Sequence, residues 1–519
     1  MFSIQKNKIF VLLFLIITCL VGCHKQQIID NKTLIYGTMD YGVSMENTGT
    51  NPHKSYYGWT AIRYGIGETL FKFNDKMELE PWIAKDFEYI DDYTVKIKIK
   101  ENVCFSNGKQ VTAEAIKRCF EDLIKKHERA SNDLKIKSIT ADDNFLIIKS
   151  YEKVPALINY LSDPYGVIID IEEEEKDGIV IGTGPYVAVK VTDREVELVK
   201  NNNYWDDIKP KLDKIIVKGI SDGDMLTMAM QNGEFDIAQG IPYLTLGLFT
   251  VGTDRFKIIS AETSRIYQIA FNFKNSELQD LNIRKAISKA IDKENFTKVL
   301  LNGNGSPAVG PFPKNFSYGD NFVSAVSYNL EESRELLKKS GWIDSNNDGY
   351  VDKNGKNLEL DYLTYTSRQE LPLLAEYTQD TLKKIGIKVN VNATDNYKSF
   401  LKSGKYDIFA SSLVTAPTGD PEYYFTTSII KGAVGNNGFY DSPKIAKLEK
   451  ELHNTFDHKK RSEIAIKMTQ EILDDCALIY VSHLKMSFVI KSNVKGFYAH
   501  PSDYYEITAE LEKNDFISK

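Results

Sequence analysis

The chain has 519 residues, is 42% hydrophobic and 11% aromatic, and carries a formal charge of −7. That length exceeds what one hydrophobic core serves and points to two or three lobes. A mildly acidic chain has no electrostatic footprint for nucleic acid, and seven histidines, none paired at ligand spacing, argue against a pre-built metal cage.

The first 23 residues carry Lys6 and Lys8, an apolar run from Ile9 to Val21, and the close Leu20-Val21-Gly22-Cys23. The run is shorter than the roughly 20 apolar residues of a spanning helix, and its order is that of an export signal. Leu-Val-Gly-Cys resembles the bacterial lipobox, which makes 1–22 a lipoprotein signal peptide and Cys23 the lipid anchor. An ordinary signal peptide with a chance cysteine, or an N-terminal helix buried in a cytosolic protein, are the alternatives. Cleavage removes 22 residues with two lysines and no acid, leaving 497 residues at −9. The polar stretch after the anchor, 23–32 with it, reads as a tether. No later segment approaches 18 apolar residues, so no second membrane span is expected.

Farther on, Tyr93 to Lys100 alternates apolar Val95, Ile97 and Ile99 with lysines, the pattern of a half-buried strand. Thr112 is placed to cap a helix whose first turn holds Glu114. Cys104, Cys119 and Cys476 form no CxxC pair; packed thiols are expected, with a Cys104–Cys119 bridge as the alternative. Glu172 to Glu175 reads as a solvated helix start. Asp280 precedes a helix with Ile283, Ile287 and Ile291 at i, i+4, i+8, and Ile464, Met468 and Ile472 repeat that spacing. Leu478 to Val481 reads as a buried strand. Asp344, Asn346, Asp348 and Gly349 match the front of a calcium loop, but position twelve is Gly355 instead of a bidentate glutamate, so a turn is expected. The fold class is α/β, mixed α+β.

Several short blocks, in order, resemble one family: the extracytoplasmic solute-binding proteins of the peptide/nickel/opine ABC importers. They are Gly67-Glu-Thr-Leu-Phe71, Phe105-Ser-Asn-Gly-Lys-Gln-Val-Thr-Ala-Glu-Ala115, Gly182-Thr-Gly-Pro-Tyr186, Asn203-Tyr-Trp205 with Lys209-Pro-Lys-Leu-Asp-Lys214, Phe271-Asn272, Ile283 to Asp292, and Gly341-Trp342. The resemblance implies a two-lobed, periplasmic-binding-protein-like fold with a hinge and an extra subdomain on lobe one. Lobe one would combine 33–70, 184–268 and 480–515; the grafted subdomain 71–183; lobe two 269–479. Hinge strands would run near Glu262–Phe273 and Leu478–Ile490, and solute would be enclosed between the lobes. A monomer anchored outside the cytoplasmic membrane would pass its solute to an ABC permease and its ATPase, since this chain has no Walker-type phosphate loop. No cofactor is implied.

Some blocks lean to the nickel/metal-chelate branch. Asn51-Pro-His53 resembles its early loop, and Val414 to Pro421, with Thr415 and Asp420, sits where that branch places Trp-Gly-Ala-Pro-Tyr-Asp-Pro. Arg129 falls where the branch holds an arginine gripping a chelator's carboxylates, a task suited to a bidentate fork; a surface arginine ending a helix is the other reading. Departures are equally specific. No histidine occurs at Gly435–Asn437, and no second arginine within Asp163–Gly166. His53, Tyr56, Tyr57 and Trp59 form an aromatic cluster that would line a pocket or pack a core corner. Arg265 would face the cleft or pair with an acid, and Tyr423 would reach solute from lobe two. His483 reads as structural. The solute is a small peptide or an already chelated metal. The competing classes are an extracellular hydrolase, for which no Gly-x-Ser-x-Gly or His-Glu-x-x-His exists, and a structural lipoprotein without transport.

Overall fold

A computed structural model describes residues 32–39, 49–250, 254–323, 326–368 and 370–514. The export signal, Cys23 and most of the tether lie outside the described residues.

Eleven strands form one large sheet. In chain order they are β1 (Thr33–Thr38), β2 (Tyr186–Val191), β3 (Glu195–Lys200), β4 (Lys214–Gly219), β5 (Ile237–Gln239), β6 (Phe256–Phe271), β7 (Gly305–Pro307), β8 (Glu359–Thr364), β9 (Lys388–Ala393), β10 (Ile408–Val414) and β11 (Leu478–Lys491). Their spatial order is β9-β8-β10-β6-β11-β5-β1-β4-β3-β2, with β7 beside β11. The parallel pairs β8–β9 and β8–β10 stand at one end, and the parallel pairs of β1 with β4 and β5 at the other. The 16-residue β6 and 14-residue β11 run antiparallel through both halves. They are the expected hinge strands, and β6 begins six residues earlier than its sequence pattern suggests. Their register breaks between Glu262 and Ile266. There Thr263 Oγ1 donates to the Leu484 carbonyl at 3.0 Å, and the Ser264 carbonyl takes the Thr415 amide at 2.9 Å. A bulge of this kind leaves residues unpaired and bends the ribbon. His483 is buried on β11, and burial pushes its imidazole down to about 3, which keeps it neutral inside the core.

A separate four-stranded sheet, in the order Ala84–Asp91, Thr94–Ile99, Phe145–Ser150, Ile136–Asp142, carries the region between the two parts of lobe one. Val95, Ile97 and Ile99 are buried and the intervening lysines are not, each such side chain contributing about 1.5–3 kcal/mol of transfer free energy. The helices used below are α1 (Tyr57–Arg63), α2 (Ala113–Lys126), α3 (Glu128–Leu134), α4 (Leu157–Leu161), α5 (Glu422–Ser428), α6 (Pro443–His453) and α7 (His458–Asp474). Thr112 caps α2 by accepting the Ala115 amide, and Asp280 caps the Leu281–Ala290 helix. Ile464, Met468 and Ile472 line the buried face of α7.

One apolar core runs from the small sheet through α2 and α4 into α5, α6 and α7. The small sheet and its helices therefore share a core with α5, α6 and α7 in the region expected as lobe two. Of two further expectations, the first fails and the second, free thiols at the cysteines, holds. Glu172–Glu175 is a turn and not a helix start, because Lys54 and Asn51 hold Glu175 against the early loop at 2.8 and 2.7 Å. The cysteines Cys104, Cys119 and Cys476 are thiols. In the Asp344–Gly349 turn the Asp344 carboxylate accepts the amides of Asp348 and Gly349, so its oxygens close the turn.

Candidate solute site between the lobes

The lobes meet where α5 and the loop before it face α1, α3 and α4. Asn159 donates to the Thr418 carbonyl at 2.9 Å, Tyr504 to the Pro417 carbonyl at 2.7 Å, and Tyr318 to the Gly419 carbonyl at 2.7 Å. Gly419 has φ +67, and a Cβ there would lie 2.3 Å from the Met77 carbonyl oxygen, so only glycine lets this loop approach the subdomain.

Arg129 owes its position to His127. That residue ends α2 and starts α3 in extended geometry, with its Nδ1 accepting the Ala130 amide at 3.2 Å and its Nε2 3.0 Å from the Ser55 carbonyl. The kink turns Arg129, on the first turn of α3, toward the gap. Its Nη2 donates to Asp163 Oδ2 at 2.5 Å, its Nε lies 3.3 Å from Asp133 Oδ2, and its guanidinium lies 5.2 Å from the Tyr165 ring centre. Tyr165 Oη also donates to Asp133 at 3.3 Å. Asp163 is fixed as the cap of the Pro164–Gly166 turn. That turn rests on α1 at Gly58, where a Cβ would meet the Pro164 oxygen at 2.4 Å. The arginine side chain is 35% exposed, Asp133 27% and Asp163 2%. Burial alone would lower the guanidinium's pKa, but Asp163, Tyr165 and Asp133 outweigh it and keep the charge fixed. Burial raises the Asp133 carboxyl, with Asp163 adding to it against the pull of Arg129.

Tyr423, at the start of α5, is half-buried and stands within electrostatic reach of Arg129, Asp163, Asp133 and Tyr56; burial raises its phenol. Tyr56, ahead of α1, is 59% exposed. These groups bring both lobes to one place: Tyr423 from lobe two against Tyr56 and the Arg129 cluster.

The other residues singled out in the sequence lie around this cluster or inside the core. Trp59 packs edge-on against Tyr504 at 4.9 Å under Arg63, and Tyr57 lies against Gly49. His53 is buried, with Nδ1 2.7 Å from Asp122 and Nε2 3.6 Å from Cys119 Sγ. That row resembles a nucleophile–base relay, but burial pushes the Cys119 thiol up to about 12 and the side chain is sealed. Thr415 is buried with its hydroxyl 3.0 and 2.9 Å from the Ser264 and Pro311 carbonyls. Asp420 is held bidentately by Arg461 at 2.9 and 2.6 Å and also accepts the Glu422 amide. Arg265 is half-buried on β6 within electrostatic reach of Tyr243 and Tyr365, whose phenols burial raises against the pull of its charge. Tyr424 is core, hydrogen-bonded to Gln268 and Tyr480.

Asp133, Asp163 and Tyr165 were not singled out. Asp133 was visible as the i+4 partner of Arg129; Asp163 stands in the very stretch where a second arginine is lacking. An open hollow of about 490 Å³ lies elsewhere, between Lys85, Lys98, Lys100, Trp205 and Asp206 on the subdomain's outer side. Its lining mixes lysines with acids and comes from one side of the cleft only, so the inter-lobe cluster is the better candidate.

Residues 78–436 match the family model described as bacterial extracellular solute-binding proteins, family 5 Middle. The nickel-binding protein NikA of Staphylococcus aureus is 27% identical over 449 residues, covering 86% of this chain and 89% of the relative. The oligopeptide-binding protein AppA of Bacillus subtilis is 25% identical over 474 residues, covering 86% of each. The crystal structure of a nickel ABC transporter protein from Bacillus halodurans superposes with a TM-score of 0.83 at 26% identity, over 93% of this chain and all of that one.

Proposed function

The chain belongs to the family 5 bacterial extracellular solute-binding proteins, and on that premise we propose that it is a receptor that captures a small peptide or a nickel or other metal chelate between its lobes and delivers it to an ABC import permease. The observation that carries this reading is the convergence of Tyr423 from lobe two with Tyr56 and the Arg129–Asp133–Asp163 cluster, beside two long strands that cross both lobes and break register at their crossing. A ribbon pair of this kind is where hinge closure around a solute is absorbed. Relatives named for nickel and for oligopeptides define the two solute classes.

The test is thermal unfolding of the purified mature protein with short peptides, nickel–histidine and other metal chelates. A rise in Tm with at least one member is expected; a folded protein indifferent to all of them overturns the receptor reading. Membrane attachment rests on Leu20-Val21-Gly22-Cys23. Two acyl chains hold a protein stably where one does not, so Cys23→Ser is expected to release the protein from the membrane while leaving solute binding intact. A variant still acylated and anchored rejects the lipobox reading.

A further inference from the structure

The hollow on the subdomain's outer side is lined by charges of both signs that do not pair. Lys98 belongs to the Thr94–Ile99 strand, Lys100 follows it, and Lys85 stands at a break in register between Ala84 and Asp86. A bulge re-aims side chains, and this one brings a third lysine to the same space. The loop between β3 and β4 supplies Asp206 and Asp207, and Glu101 and Asn102 complete the lining. Among the described residues, none of the three lysines and neither aspartate stands in an ion pair. Elsewhere on the surface lysines do find acids, as Lys54 finds Glu175 and Lys214 finds Glu197. Here the floor is fixed: Trp205 Nε1 and Tyr204 Oη each donate to the buried Glu68 carboxylate at 2.7 Å, which pins the loop. The Lys100 ammonium lies 5.1 Å from the Trp205 ring centre, where burial lowers its pKa against the pull of Asp206 and Glu68. The space, about 490 Å³, is of ligand size. Opposite charges held around it over an aromatic floor suit a molecule that carries both signs.

The same loop leads to the tether. The Lys32 carbonyl accepts the Asp213 and Lys214 amides at 2.9 and 3.2 Å, and Lys32 Nζ reaches the Lys211 carbonyl at 3.3 Å. Lys32 follows Cys23 by nine residues, a span of at most about 30 Å. Between Trp205 and this point, Ile208 is 47% exposed. Tryptophan and lysine beside an exposed apolar side chain match the chemistry of a membrane–water interface.

We propose that this hollow seats a lipid headgroup of the membrane that carries the tether, an ethanolamine phospholipid whose phosphate meets Lys85, Lys98 and Lys100 and whose ammonium meets Asp206 and Asp207. Docking there orients the receptor on the bilayer. This rests on the membrane attachment read from Leu20 to Cys23 and lies outside the cleft between the lobes.

The experiment is sedimentation of the mature chain bearing Cys23→Ser, which has no acyl anchor, with vesicles of phosphatidylcholine alone or mixed equally with phosphatidylethanolamine or phosphatidylglycerol. The ethanolamine vesicles are expected to bind it about 5-fold more strongly than either of the others. Lys85→Ala with Lys98→Ala should cut that binding about 10-fold. Asp206→Asn with Asp207→Asn should erase the preference over phosphatidylcholine, while Lys338→Ala with Lys339→Ala, exposed on another helix, changes neither. No vesicle binding, equal binding to all three vesicles, or binding indifferent to both hollow variants overturns the site. Calorimetric binding of soluble O-phosphoethanolamine without vesicle binding overturns the membrane as its source. Mass spectrometry of the unaltered protein reports acylation at Cys23 separately, so a chain without acyl groups that still selects ethanolamine vesicles removes the anchor and supports the headgroup site.

Discussion

Arg461 and Arg129 are each shared by two carboxylates, and the two clusters differ in burial and in charge balance. Arg461, on α7, holds Asp420 and Glu422 at 2.6 and 2.7 Å with its side chain 2% exposed. His453 adds a second cation, with Nδ1 2.7 Å from Glu422. Burial works against the Glu422 charge, yet His453 and Arg461 outweigh it and hold the carboxyl below its usual range. Arg129 and Asp133 are about a third exposed while Asp163 is sealed, and there burial wins and the Asp133 carboxyl rises. The same three groups form a sealed, balanced joint in one place and an open, unbalanced one in the other. The balanced cluster ties the loop at Asp420 to α7, and the unbalanced one leaves a partly exposed carboxylate at the gap.

The sharpest way to break this distinction is to remove each arginine. Arg461→Ala leaves two buried carboxylates unpaired and is expected to cost about 3–5 kcal/mol, read as a fall in the urea midpoint or a failure to fold. Arg129→Ala leaves one sealed carboxylate, Asp163, without its cation while the other stays partly exposed, and is expected to cost about 2 kcal/mol. Equal losses would erase the difference.

Asp133→Asn is expected to move stability the other way. Because the folded-state pKa of Asp133 is raised, its ionised form weighs against the fold above the ordinary carboxylate range near 4, and that cost vanishes as pH falls. The variant should gain about 0.5 kcal/mol at pH 7 in urea denaturation, with the gain gone by about pH 4. A loss at pH 7 would contradict the unbalanced charge.

His453 gives the sealed joint its own signature. The bond to Glu422 raises its pKa, so its contribution is fully present below the unfolded value of about 6.5 and fades as pH rises through the folded one. Solvent screening of a half-exposed ring limits the effect to about 0.5 kcal/mol. Stability of the unaltered protein should decline by that amount as pH rises above about 6.5, and His453→Gln should lose that slope. A variant with the same slope assigns the titration to another group. The smallest change in stability is expected from Tyr56→Ala, within about 0.5 kcal/mol for so exposed a ring. It should still weaken solute binding several-fold by calorimetry; unchanged affinity would place Tyr56 outside the site.

Local physics made much of the fold legible. The alternation at Val95, Ile97 and Ile99, the caps at Thr112 and Asp280, and the stripe on α7 each depend on neighbours within a few residues, and each forms as its pattern implies. The strand signals near Glu262 and Leu478 located the two long paired strands but not their full length, because the first residues of β6 are only half-buried or exposed and carry no strong one-sided pattern. What the pattern could not carry is pairing at a distance. Arg129 meets Asp163 across 34 residues, and with that partner unseen it reads as an arginine available for a solute carboxylate. Glu172–Glu175 failed for the same reason, its last residue being held by Lys54 and Asn51 from far back in the chain.

The threading of the large sheet bears on how the molecule comes into being. Strand β1 lies between β4 and β5, and β5 in turn pairs with β11. Tyr36 donates to Glu506 across 470 residues, and Lys513 donates to the Thr33 carbonyl. The earliest strand therefore waits for the last tenth of the chain before its lobe can close, and folds dominated by such remote pairings form slowly. For a member of a family of extracellular proteins, which has to cross a membrane, this delay is useful. A chain whose first strand cannot close its lobe until the last strand is available keeps that lobe open while it is being threaded.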